Sequence, residues 1–173
     1  MGLLALYNDM VSILEALKND NGEDLFGKVG YWNSQPLNEP IEEAFNYPAC
    51  FIQFASIEWK QKAKAGGYHT GQAEEQESQG SRLTVHICHS HLEGVDISFP
   101  IIHAINQRVY YALSEIEQNQ DYGNLIRIEE RPDPNHDRIH DWQMDFQYTV
   151  IQTGQSVGKT EVEEGELSLI IPE

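Results

Sequence analysis

Hydrophobic and polar positions change period several times along the chain, and each change marks an element. Leu3, Leu6, Tyr7, Met10, Leu14 and Leu17 recur at helical spacing, with Asn8, Ser12, Glu15 and Lys18 elsewhere, so an amphipathic helix opens the sequence. Asn19-Asp20-Asn21-Gly22 supplies its stop. Its polar side lacks the basic residues of membrane-surface helices, so its apolar side reads as core-facing. Residues 28–33 predict a short strand, and Gln35-Pro36-Leu37-Asn38-Glu39-Pro40 forces an irregular connection. From Ala49 to Trp59 the chain starts apolar on nearly both sides, the pattern of a central strand covered on both faces. Residues 60–80 have no periodicity and change from basic to acidic midway, which predicts a long mobile loop between hairpin strands.

A strand resumes from Arg82 to Ser90, with Leu83, Val85 and Ile87 on one side. Ser98 is placed to cap a second helix with Pro100 in its first turn, and Ile102, Ile105, Val109, Ala112, Leu113 and Ile116 form its sheet-facing stripe. Leu125 to Glu130 pairs with the last strand through the turn Arg131-Pro132-Asp133-Pro134-Asn135-His136-Asp137. In that last strand Trp142, Met144, Phe146, Tyr148 and Val150 alternate with Asp141, Gln143, Asp145, Gln147 and Thr149. Successive strand side chains point to opposite sides, so this alternation describes a buried face and a wet one. Short links between the later strands predict an α+β fold: a single antiparallel sheet of mixed-length strands, four to five in number, with two helices packed on one face. The domain covers 1–153, and 154–173 is an acidic extension that ends in the apolar Leu167-Ser168-Leu169-Ile170-Ile171.

Length and charge narrow the functional classes. The 173 residues suit one domain. A formal charge of −17 opposes wrapping onto a phosphate backbone, because nucleic-acid affinity comes largely from Lys and Arg; specific nucleic-acid binding is not expected, though DNA could pass an acidic lumen without sticking. The first residues lack the basic region and cleavage pattern of a signal peptide, and position 6 is Leu where a myristoylation signal at Gly2 needs Ser or Thr. No segment is apolar for the length a membrane helix requires, so a cytosolic protein is expected. Cys50 and Cys88 fall inside apolar strand patterns and read as buried free thiols.

No motif commits the chain to chemistry. Gly154-Gln155-Ser156-Val157-Gly158 matches the nucleophile elbow, but no His follows His140 to complete a triad. Gly154 to Thr160 is one residue short of a phosphate loop. His86, Cys88, His89 and His91 crowd one strand end, yet on a strand His86 and Cys88 share a face while His89 points with Val85 and Ile87, too few to close a zinc site. The segment from Asp133 to Asp141 would suit a metal-dependent hydrolase through His136, Asp137 and His140 only on a helix, which its prolines and the strand pattern oppose. The expectation is therefore no enzyme, no cofactor and no bound metal.

The element order and the segment Glu130-Arg131-Pro132-Asp133-Pro134-Asn135-His136-Asp137-Arg138-Ile139-His140-Asp141-Trp142 resemble the tail terminator, or tail-completion, proteins of long-tailed bacteriophages and prophages. The resemblance covers about residues 1–152 and rests on architecture rather than on a catalytic signature. It implies a structural virion-assembly protein: a hexameric, homo-oligomeric ring that caps the tail tube, contacts tail tube and head–tail connector proteins, forms in the host cytoplasm and ends in the virion tail or neck. A neck or connector protein is the alternative of the same class, and the metal-dependent hydrolase that of a different one. Interface candidates are Tyr68 and His69 in the long loop, Asp133, Asn135, His136 and Asp137 in the turn, Asp141, Gln143 and Asp145 on the polar strand face, and Leu167, Leu169 and Ile170 in the extension.

Overall fold

The computed structural model describes residues 2–33, 46–57, 59–61, 75–90, 99–133 and 139–153. In chain order the elements are α1 (Gly2–Glu15), β1 (Lys28–Tyr31), β2 (Ala49–Phe54), β3 (Trp59–Gln61), β4 (Glu75–Ser90), α2 (Phe99–Ser114), β5 (Ile126–Asp133) and β6 (Ile139–Thr153). The strands form one sheet in the order β1-β2-β4-β6-β5, with the short β3 pairing β4 off that path. The long antiparallel pair β4–β6 is its spine, running from Glu75↔Thr153 to Ser90↔Ile139.

Both helices pack on one face, as their stripes require. Leu6, Met10 and Leu14 of α1 meet Val109 and Leu113 of α2 over Leu83, Val85 and Ile87 of β4 and Met144, Phe146, Tyr148 and Val150 of β6. Truncating a buried member of this cluster such as Leu113 costs about 2–5 kcal/mol, the lost transfer energy plus the cavity. The stop of α1 works through Asn19, whose Oδ1 accepts from the backbone N–H groups of Asn21 and Glu23 at 2.9 and 3.0 Å while Gly22 takes a positive φ of 82°. The start of α1 is fixed differently. A Cβ on Gly2 would lie 2.4 Å from the Asp121 carbonyl oxygen and 2.6 Å from Val150 Cγ1, so only glycine lets the helix seat against the end of β6.

The expected α+β class and helix placement hold, but a purely antiparallel sheet does not. β1 and β2 run parallel, with Lys28↔Ala49 through Tyr31↔Ile52 in register, so the sheet is mixed. Parallel pairing excludes a tight hairpin between the two strands, and the proline-rich sequence between them carries no period from which direction can be read. The reading of 60–80 as one loop also fails at both ends. β3 pairs Trp59–Gln61 with Gln76–Ser78, and β4 begins at Glu75. This start has no apolar alternation; its partners are β3 and the end of β6, and the ladder shifts register between Ser78 and Ser81, where Gly80 has a φ of 68°. Residues 62–74 lie outside the described residues.

Candidate functional site

The second face of the sheet is not uniformly wet. Ala49, Phe51, Cys88 and Ile139 form a small buried cluster there, with Trp32 and Tyr47 packed against it. β2 is thereby buried on both faces from Ala49 to Ile52, as its continuous apolar run predicts. At the margin of this cluster sits a closed polar group. Asp141, only 3% exposed, accepts from His86 Nδ1 at 2.8 Å and from Gln143 Nε2 at 3.0 Å, and the Cys88 thiol points at its other oxygen at 3.8 Å. His86 Nε2 faces Gln53 Oε1 at 3.0 Å. The indole of Trp32 lies flat on the His86 ring, centroids 3.9 Å apart and planes within 3°.

Strand register produces this arrangement. Asp141 is opposite Cys88 and His86 opposite Gln143 on the β4–β6 ladder, and His86 is opposite Phe51 on the other side. Directly opposed residues share a face, so His86, Cys88, Asp141 and Gln143 are brought together by pairing alone. A carboxylate can only accept, so Nδ1 of His86 carries the proton on that side. A carboxylate orienting an imidazole through Nδ1 is half of a catalytic triad. Here the other nitrogen meets an amide, the ring face is covered by Trp32, and Cys88 bonds to the carboxylate rather than to the imidazole. Burial, together with the Asp141 charge, pushes the Cys88 thiol up, which removes the thiolate a nucleophile needs. Burial raises Cys50 likewise, and both cysteines are free.

Further along the same face Asp145 accepts from Thr84 Oγ1 at 2.7 Å and pairs with Arg131, which also lies 3.6 Å from Glu129. Burial raises the Asp145 carboxyl, but hydrogen bonds from Arg131 and Thr84 and the charges of Arg131 and Arg82 outweigh it and hold the group below the usual carboxylate range. On the helix side Trp142 Nε1 donates to Glu130 Oε1 at 2.8 Å, Arg127 pairs with Glu130 at 3.1 Å, and Arg127 stacks 3.7 Å over the Tyr110 ring.

The candidate interface residues are distributed unevenly over this picture. Asp141 belongs to the buried network, its end of the face covered by Trp32 and the small second core. Gln143 and Asp145 remain half-buried on the same face, bonded to Asp141 and to Thr84 and Arg131. Asp133 closes β5 opposite Asp141. Tyr68, His69, Asn135, His136, Asp137, Leu167, Leu169 and Ile170 lie outside the described residues, as do Ser98, His91 and the extension from 154 onward. The histidine group divides as strand geometry requires: His86 and Cys88 share the second face and His89 points to the helix side. Among the described residues no group of three His, Cys, Asp or Glu converges as a metal site.

Sequence reasoning missed the exposed apolar positions. Ile126 and Ile128 are 61% and 44% exposed on β5, the last strand of the sheet, whose outer edge pairs with no strand among the described residues. Tyr31 is exposed at the opposite edge, and Phe99, Ile101 and Tyr111 are exposed on α2. The Leu125–Glu130 run contained the signal: Ile126 and Ile128 both alternate with charged residues, but a single strand does not reveal which of its faces is covered. No helix among the described residues is long and apolar enough to cross a membrane. No protein-family model matches this chain, and no curated protein does.

Proposed function

We propose that the chain is a non-catalytic assembly subunit, a tail-completion protein of a long-tailed phage or prophage, that closes into a homo-oligomeric ring on the tail tube and joins tail to head. The observation that carries this reading is the edge of β5, which pairs with no strand among the described residues, together with its exposed Ile126 and Ile128. An edge strand offers unpaired N–H and C=O groups, and natural proteins protect such edges unless something covers them. β5 has partial protection in Pro132, its charged residues and an irregularity between Arg127 and Glu129, yet its exposed isoleucines leave apolar surface next to the backbone.

A closed ring needs two different complementary surfaces on each subunit. The β5 edge supplies the first, and Tyr31 on β1, at the far side of the sheet, marks a candidate for the second. The polar network under Trp32 fits the same reading as a lock that holds β2, β4 and β6 in register. Its donors and acceptors are directed at one another rather than at an open cleft. The charge of −17 favours a hydrated surface or lumen over nucleic-acid capture.

The test is an Ile126→Asp/Ile128→Asp chain compared with the wild type by solution mass measurement, alone and with tail tube protein. The reading expects oligomers from the wild type and a folded monomer from the variant. Equal assembly of both chains overturns the β5 edge as the interface, and a wild type that stays monomeric with tube protein present overturns the assembly function itself.

A further inference from the structure

We propose that His89 and His140 form a two-histidine clamp for a divalent transition-metal ion of the Zn²⁺ type, bridging β4 and β6 near the end of their ladder. This site is independent of the assembly reading and of the polar network on the opposite face. His89 and His140 are direct partners in the β4–β6 register, the next pair on the same face after Ile87↔Trp142. Directly opposed residues project from the same face with Cβ atoms about 4.5–5.5 Å apart. Two imidazoles at that spacing can reach a single ion at the usual Zn–N distance of about 2.0–2.1 Å.

His89 supplies the second observation. It is 4% exposed, and its Nε2 has no hydrogen-bond partner among the described residues. A buried polar atom left unsatisfied costs about 1–3 kcal/mol, so a fold that places an imidazole nitrogen there invites a ligand for it. His140 on the adjoining strand is exposed, which gives an ion a route in from solvent. Metal binds an imidazole through a ring nitrogen that carries no proton, and the unpartnered Nε2 of His89 can offer one.

Among the described residues the site has two ligands, and water completes the coordination; it is an open chelate rather than a closed four-ligand centre. Its effect is to tie β4 to β6 where the sheet ends. His86 and Cys88 take no part, because they leave the opposite face and are held by Asp141 and Gln53.

The experiment is calorimetric titration of the full chain, without an affinity tag, using Zn²⁺ near neutral pH, with thermal unfolding as a parallel readout. The expected result is one ion per chain and a raised melting temperature, both lost in His140→Ala and in His89→Ala. His140 is exposed, so His140→Ala tests the site even if His89→Ala fails to fold. His103→Ala, and a chain with His69→Ala, His91→Ala and His136→Ala together, are expected to bind as the wild type does. Absence of wild-type binding up to millimolar ion, undiminished binding by His140→Ala, or loss of binding in the triple variant overturns the proposal.

Discussion

Replacing Asp141 by alanine removes the shared acceptor of the network under Trp32. His86 Nδ1 and Gln143 Nε2 lose bonds of 2.8 and 3.0 Å, and the Cys88 thiol loses its weak contact. The largest part of the cost comes from His86, which is 4% exposed and keeps a ring N–H that no water reaches. An unsatisfied buried donor costs about 1–3 kcal/mol. Breaking a buried carboxylate–imidazole pair from one side costs about 3–5 kcal/mol when the remaining partner is charged. The expected loss for Asp141→Ala is therefore about 2–4 kcal/mol. His86→Leu has a comparable cost because it leaves a buried carboxylate. The double variant removes both polar groups and should be less destabilised than the sum of the singles by roughly 1–3 kcal/mol. Urea unfolding followed by circular dichroism, at matched chain concentration and with unchanged m-values, measures all three. An Asp141→Ala chain within about 0.5 kcal/mol of wild type, or single effects that simply add, would refute the network as a lock.

Further predictions concern other parts of the fold. Gly2→Ala should destabilise by about 1–3 kcal/mol in thermal unfolding, because its Cβ meets the Asp121 carbonyl at 2.4 Å; an unchanged melting temperature would contradict the docking of α1 on β6. Asp145 has a folded pKa below its ordinary 3.8, so its contribution is fully present above that value and is lost as pH falls through the folded value. The stability gap between wild type and Asp145→Asn should accordingly hold from neutral pH to about 4 and shrink only below it, and a gap that shrinks above pH 5 would count against the Arg131 and Thr84 contacts. Cys50 and Cys88, buried and with raised pKa values, should resist alkylation in the native chain and react only on unfolding, which mass spectrometry of iodoacetamide-treated protein checks.

Several elements were legible from local pattern because their burial follows a single period. The stripes of α1 and α2 and the alternation of β6 from Trp142 to Val150 each face the core in the structure. The run of β2 from Ala49 to Ile52 announced its burial on both sides in the same way. What escaped was fixed by partners distant in sequence. The parallel β1–β2 pair depends on the path of the intervening connection, and the start of β4 at Glu75 depends on β3 and the end of β6. Asp141 reads as a wet residue because nothing near it in sequence reveals that Trp32 and Phe51 cover its end of the sheet. His86 reads in the sequence as one of four residues of metal-ligand type at a strand end, but its partners, Asp141 and Gln53, are set by the register of two ladders that no local spacing encodes.

The assembly reading is tested most directly by electron microscopy of the purified full chain, with its mass in solution measured on the same sample. The account predicts closed rings of uniform subunit number that end tail tubes when tube protein is added. Particles that remain monomeric in both conditions, with tubes growing unchecked, would contradict it.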